Sequence, residues 1–127
     1  MSRPVKIPDA THPITIEPTP GRVIVRVGTT VVADSTRVLG LRESAYPVVQ
    51  YVPVADVDPA LLRPSSNESY CPFKGEASYY SIVTADAQLT DAVWTYEHPY
   101  DAVAPIAGHL AFYADRVDIT IAETPRV

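Results

Sequence analysis

Residues with chemical reactivity are concentrated between positions 69 and 80 of this sequence. This stretch holds the only cysteine, Cys71, together with Lys74, Gly75 and three of the eight tyrosines. A thiol is a nucleophile only as thiolate, and a nearby ammonium group lowers its pKa, so Cys71 and Lys74 are the candidate catalytic groups of a small enzyme. The alternative is that Cys71 packs as a small apolar side chain while Gly75 shapes a tight turn. The spacing identifies no base that would activate the thiol.

Lys74 is also a candidate ligand contact. An ammonium group in a loop beside several aromatic residues can meet a carboxylate or a phosphate as a point charge. The alternative is an ion pair with Glu76, Glu97 or Asp56. Lys74 can have both roles if the residue that forms the ion pair with it also closes a pocket.

Aromatic residues with a polar tip are the candidate walls of such a pocket. They supply flat apolar surfaces and a few directed hydrogen bonds, although they are also favoured in strands for packing alone. Because Tyr79 and Tyr80 are adjacent on a predicted strand, they must face opposite sides, and at most one lines a given pocket. The predicted ligand-binding residues are Tyr51, Tyr70, Lys74, Tyr80, Trp94 and Tyr96.

Two carboxylates, Asp56 and Asp58, look like the pair with which nucleotidyltransferases hold Mg²⁺. The Gly-Ser element that precedes such a pair is absent, and Asp58 before Pro59 has a sufficient role as a helix N-cap. His98 and His109 show no recognised metal-ligand spacing. We therefore predict neither a metal site nor a cofactor.

Composition limits the class of protein. The chain has 127 residues, a net charge of −5, one cysteine and 13 prolines. The acidic balance without a basic cluster argues against nucleic acid as a partner. No apolar run approaches the roughly 18 residues of a membrane helix and no signal peptide is visible, so we expect a cytoplasmic protein with no membrane association. The prolines favour short strands over long helices.

The residue pattern predicts a mainly β fold with about eight short strands and one or two short helical turns, the first capped by Asp58. Residues 1–13 are expected to form a loose or docked arm, and residues 14–127 a single β domain. Residues 22–27 and 31–34 are predicted to pair as a hairpin, and residues 110–113 and 117–121 as another. Residues 64–68 and 84–91 are predicted to be loops.

Three blocks of sequence carry a family resemblance: PVVQYVP at 47–53, CPFKG at 71–75, and WTYEHP at 94–99 with HLAFY at 109–113 behind it. In order and spacing they resemble the bacterial family called domain of unknown function 427, which also carries a nucleotidyltransferase label. The resemblance implies two antiparallel sheets meeting at an angle, as in the β-tent domains of cereblon and the Mss4-like proteins. Many of those relatives hold zinc with two Cys-x-x-Cys pairs, which a chain with one cysteine cannot supply.

The leading hypothesis is a domain that binds a small molecule, with Lys74 anchoring an anionic group beside Tyr51, Trp94 and Tyr96. The second is a small enzyme that uses Cys71 or Lys74. The third is a structural or partner-binding domain, with homodimerisation through an edge strand left open.

Overall fold

Ten β-strands form two antiparallel sheets in the computed structural model of the chain, which describes residues 3–122. The strands are β1 (Ile14–Pro18), β2 (Arg22–Val27), β3 (Thr30–Ser35), β4 (Leu39–Glu43), β5 (Val49–Pro53), β6 (Leu62–Cys71), β7 (Gly75–Val83), β8 (Gln88–Thr95), β9 (His109–Phe112) and β10 (Asp118–Ala122). The mainly β class and the two antiparallel sheets are confirmed, with two more strands than the eight expected.

The larger sheet has seven strands in the order β1-β4-β5-β9-β8-β7-β6, and the smaller has three in the order β10-β2-β3. The predicted hairpin of β2 and β3 is confirmed, with Val23 opposite Ser35 and Val25 opposite Ala33. Each sheet is thus assembled partly from strands that are distant in sequence.

The predicted hairpin of residues 110–113 and 117–121 is wrong. β9 pairs with β5 and β8 in the larger sheet, whereas β10 pairs with β2 in the smaller one. Alternating residues indicate that both segments are strands, but the partner of each depends on which sheet has a free edge. The chain between them passes from one sheet to the other.

Two predicted loops are also wrong. Residues 64–68 belong to β6, and β8 already begins at Gln88. β6 is the last strand of its sheet, where polar residues and Pro64 are tolerated because only one side needs hydrogen-bonding partners. Its pairing with β7 shifts register between Pro64 and Glu68, which marks a bulge.

Helical structure within residues 3–122 is limited to three short 3-10 segments, Val54–Asp56, Pro59–Leu61 and Asp101–Ile106. The predicted cap is confirmed, because the Asp58 side chain accepts a hydrogen bond of 3.0 Å from the Ala60 backbone N–H. No helix in these residues has the length and apolar character that a membrane crossing requires.

Buried apolar residues form two clusters, one on each face of the larger sheet. The first lies between the sheets and includes Val23 and Val25 of β2 with Val93 of β8. The second is on the opposite face, where the segment Asp101–Ile106 covers part of the sheet; its members are Leu41, Tyr51, Ala77, Tyr96, Val103, Ile106 and Ala111. The candidate site lies on this second face.

The first described residues run along the loop between β6 and β7. The Lys6 backbone N–H donates to the Pro72 carbonyl at 2.9 Å, and the Tyr70 hydroxyl donates to the Pro4 carbonyl at 2.6 Å. Residues 3–13 are therefore docked, and the division of the chain at residue 14 stays a prediction.

Candidate functional site

A row of directly opposed residues crosses five strands of the larger sheet. Leu39 pairs with Tyr51, Tyr51 with Ala111, Ala111 with Trp94, and Trp94 with Tyr79. Opposed residues of antiparallel strands point to the same face, so the row places three large aromatic side chains on the second face of the sheet.

The smallest member of the row, Ala111, lies between its two largest neighbours. The rings of Tyr51 and Trp94 are 6.5 Å apart and inclined at 86°, and the Trp94 indole N–H donates to the Tyr51 hydroxyl at 3.4 Å. Ala111 itself is fully buried.

Tyr51, Trp94 and Tyr79 of this row line a cavity of about 480 Å³. Its size is within the range of small-molecule sites. Its walls are mainly apolar and aromatic, and Glu43, Gln50 and Lys74 add polar groups. The aromatic lining residues are Tyr46, Tyr51, Tyr79, Trp94, Tyr96, Phe112 and Tyr113.

Lys74 reaches the cavity with only 8% of its surface exposed, and its ammonium group donates to Glu43 Oε1. The second oxygen, Glu43 Oε2, lies 2.7 Å from His12 Nε2. Lys74 is therefore in an ion pair, although with none of the three partners expected from the sequence. Two of those carboxylates have other partners, since Asp56 pairs with Arg37 and Glu76 with Arg3.

The pKa of Glu43 lies below its ordinary value. Burial of the carboxylate acts to raise this pKa, but the hydrogen bonds from Lys74 and His12 lower it and together outweigh burial. Glu43 is thus held as an anion at neutral pH, and its charge compensates that of Lys74.

The turn between β6 and β7 positions Lys74. The Lys74 backbone N–H donates to the Cys71 carbonyl at 3.2 Å, and the Lys74 carbonyl accepts from Tyr100 N–H at 3.0 Å. Gly75 follows with φ of +111°, a conformation that favours glycine. The Phe73 ring stacks on His12 with centroids 4.1 Å apart.

Two buried tyrosines present hydroxyl groups to the cavity. Burial raises the pKa of Tyr51 to about 12, and it raises the pKa of Tyr96 further. Both are therefore neutral O–H groups at physiological pH. Tyr96 is 6% exposed, and within residues 3–122 its hydroxyl has no hydrogen-bond partner.

A family model described as Domain of unknown function (DUF427), with the label NTP_transf_9, matches residues 15–123. The chain belongs to this DUF427 family. The match includes every residue that lines the cavity, and it confirms the family resemblance. No curated protein matches the chain. A relationship to the β-tent domains stays a prediction.

Four of the predicted ligand-binding residues of this DUF427 member line the cavity: Tyr51, Lys74, Trp94 and Tyr96. The other two do not. Tyr80 packs against the cluster between the sheets, whereas its neighbour Tyr79 faces the cavity, as adjacent residues of a strand must.

Tyr70 lies elsewhere and holds the first residues of the DUF427 chain. Its hydroxyl is 2.7 Å from that of Tyr100 and donates to the Pro4 carbonyl, while the Arg3 guanidinium lies 4.7 Å from the centre of its ring. These contacts account for the Tyr70 side chain without a ligand.

Sequence reasoning missed Glu43, Gln50, Tyr46 and Tyr113 as lining residues. A signal for Glu43 was present, because it follows Leu41 by two residues on β4 and must share its face. Tyr113 carries no comparable signal, since it lies just beyond β9 and reaches the cavity by packing on Trp94, with ring centroids 4.6 Å apart.

The remaining candidates of the DUF427 member lie outside the cavity lining. Cys71 is half-buried against the second core cluster, and no histidine side chain of residues 3–122 hydrogen-bonds to its sulfur. Asp56 accepts from Ser35 at 2.6 Å, and Asp58 caps a 3-10 segment. The described part of the chain contains no group of three or more metal-ligating side chains.

Proposed function

We propose that this DUF427 member binds a small, planar and largely apolar molecule in the cavity lined by Tyr51, Tyr79 and Trp94. The observation that carries the proposal is the aromatic enclosure. Tyr51, Tyr79 and Trp94 come from three different strands and leave a cavity of about 480 Å³ on the face of a sheet. Flat aromatic walls suit a flat ligand.

Packing alone does not account for this arrangement. Protein interiors are close-packed, and buried polar groups are normally hydrogen-bonded. Here the Tyr96 hydroxyl makes no hydrogen bond within residues 3–122, and Lys74 is buried at the edge of the same space. A ligand would complete both the packing and the hydrogen bonding.

Lys74 is the proposed polar contact. Within residues 3–122 its ammonium group donates only to Glu43, although an ammonium group has three N–H donors. The remaining donors can bind an oxygen of the ligand. The sequence predicted that Lys74 anchors an anionic group of the ligand, and Lys74 stays the proposed anchor here.

No observation favours the enzyme hypothesis. The Lys74 side-chain nitrogen is engaged in an ion pair with the Glu43 carboxylate, so it is not free to act as a nucleophile. Cys71 lies outside the set of lining residues. Nucleotidyl transfer, which the family label suggests, has no paired metal carboxylates to support it here, because Asp56 and Asp58 have other partners.

A fragment screen tests the proposal. Trp94 is the only tryptophan, so its indole N–H gives a single cross-peak in a ¹H–¹⁵N spectrum and reports on the cavity alone. Planar apolar fragments are expected to move this peak. Trp94→Ala should weaken the binding of the hits by about tenfold or more, as measured by calorimetry.

The matched control is Tyr80→Phe, which alters a tyrosine on the opposite face of the same sheet. This variant should bind the hits within about twofold of the original chain. The proposal is wrong if no planar fragment moves the Trp94 peak, or if the hits bind Trp94→Ala unchanged.

Other expectations from the sequence stay predictions. These are a cytoplasmic location, the absence of nucleic acid as a partner, and the alternative of homodimerisation through an edge strand. Size-exclusion chromatography with light scattering measures the last one directly.

A further inference from the structure

Three polar groups of the cavity have hydrogen-bond donors that are not used within residues 3–122. In this part of the chain the Tyr96 hydroxyl has no partner, and Tyr51 accepts from Trp94 without donating in turn. Lys74 donates there once, to Glu43. These three side chains therefore bring unused N–H and O–H hydrogens to one cavity.

The carboxylate and amide oxygens of the cavity already accept one hydrogen bond each. Glu43 Oε1 accepts from Lys74, and Glu43 Oε2 is bound to His12. The Gln50 side-chain oxygen accepts from the Thr19 hydroxyl. An acceptor on a ligand would meet donors that have no other partner within residues 3–122, whereas a ligand N–H directed at Glu43 or Gln50 would share an oxygen that already accepts a hydrogen bond.

The net charge of the cavity argues against an anionic ligand. The charges of Lys74 and Glu43 compensate each other across one hydrogen bond. An added carboxylate would lie near the Glu43 anion in a poorly solvated site, where an uncompensated charge is costly. An uncharged acceptor oxygen satisfies the same donors without that cost.

We infer that the ligand is an uncharged planar compound bearing a carbonyl-type acceptor oxygen, bound by the Tyr96 hydroxyl and the Lys74 ammonium group. The inference rests on the proposed binding function and specifies its ligand class. It replaces the anionic group that the sequence suggested for Lys74 with a neutral acceptor.

Three bicyclic probes of similar size separate the alternatives. Chromone has a neutral carbonyl, 2-naphthoate has a carboxylate that is ionised at pH 7.5, and indole offers an N–H donor and no acceptor oxygen. Their dissociation constants can be measured by titration of the Trp94 indole cross-peak. Chromone is expected to bind at least about tenfold more tightly than either of the others.

Tyr96→Phe removes the unpartnered hydroxyl and little else. It should weaken chromone binding by roughly threefold to tenfold, the range for one hydrogen bond, and leave indole binding unchanged. Tyr80→Phe, on the other face of the sheet, should change the binding of neither chromone nor indole. The amide spectrum of each variant verifies that it is folded.

The outcomes distinguish this inference from the function on which it rests. If 2-naphthoate binds most tightly, the neutral class is wrong. If indole equals chromone, or if Tyr96→Phe leaves chromone binding intact, the acceptor class is wrong; in these cases binding in the cavity stands. If no probe and no fragment moves the Trp94 peak, both the inference and the proposed function are wrong.

Discussion

Lys74 donates to the carboxylate of Glu43 across 31 residues of sequence, and this ion pair joins the end of β4 to the turn before β7. Their side chains are only 10% and 18% exposed. The pair lies at the edge of the aromatic cavity, so it links the stability of the fold to the polarity of the site.

Glu43→Gln is expected to lower the free energy of unfolding by about 2–3 kcal/mol, because it leaves the buried Lys74 charge without a compensating anion. Urea unfolding monitored by Trp94 fluorescence measures the change. The matched control is Asp34→Asn, which breaks the more exposed Arg22–Asp34 pair and should lower the free energy of unfolding by less than Glu43→Gln does. Equal losses in the two variants would contradict the role of burial.

The contribution of Glu43 should depend on pH. Its folded-state pKa is lowered, so the stability it provides is present above its unfolded pKa of about 4.3 and is lost as the pH falls through the folded value. The difference in unfolding free energy between the original chain and Glu43→Gln should therefore be largest above about pH 5 and narrow towards pH 3.

The comparison with Glu43→Gln isolates the contribution of the Glu43 carboxylate to the pH dependence of stability. The pKa values of Asp9, Asp34 and Asp56 are also lowered by their hydrogen-bonding partners, but these residues are present in both proteins and cancel in the difference. A difference that stays constant from pH 5.5 to pH 3 would show that the Glu43 charge does not stabilise the fold.

The sequence predicted those features that depend on local patterns. Alternation identified β2 and β3, and the Asp58-Pro59 pair marked the start of a 3-10 segment. The four correctly placed lining residues were found because aromatic residues on strands are visible in the sequence.

The remaining features depend on which distant strands pair. The order of the larger sheet places β9 between β5 and β8, and only this pairing puts Ala111 between Tyr51 and Trp94. The choice of Glu43 as the partner of Lys74 likewise follows from the approach of β4 to the turn at residue 74. Neither the position of Ala111 between Tyr51 and Trp94 nor the pairing of Lys74 with Glu43 can be predicted from the local sequence.

Gly75 is expected to be the least replaceable of the turn glycines. Gly75→Ala should cost about 2 kcal/mol or more, because φ is +111°, a backbone conformation that residues with a Cβ rarely adopt. Gly28→Ala is the matched control, since φ is +59° and a Cβ there meets nothing within 4 Å, and it should cost about 1 kcal/mol. Urea unfolding measures both, and a smaller loss at Gly75 would contradict the greater backbone strain there.

Cys71→Ala separates a packing role from a chemical one. Cys71 is half-buried beside the second core cluster and outside the cavity lining, so the variant should lose about 1 kcal/mol of stability or less and bind fragment hits within about twofold of the original chain. Calorimetry with the same hits measures the affinity, and Trp94→Ala serves as the variant in which binding is lost. If Cys71→Ala abolished binding while its amide spectrum showed a folded chain, the thiol itself would have to contact the ligand, and the enzyme hypothesis would regain its nucleophile.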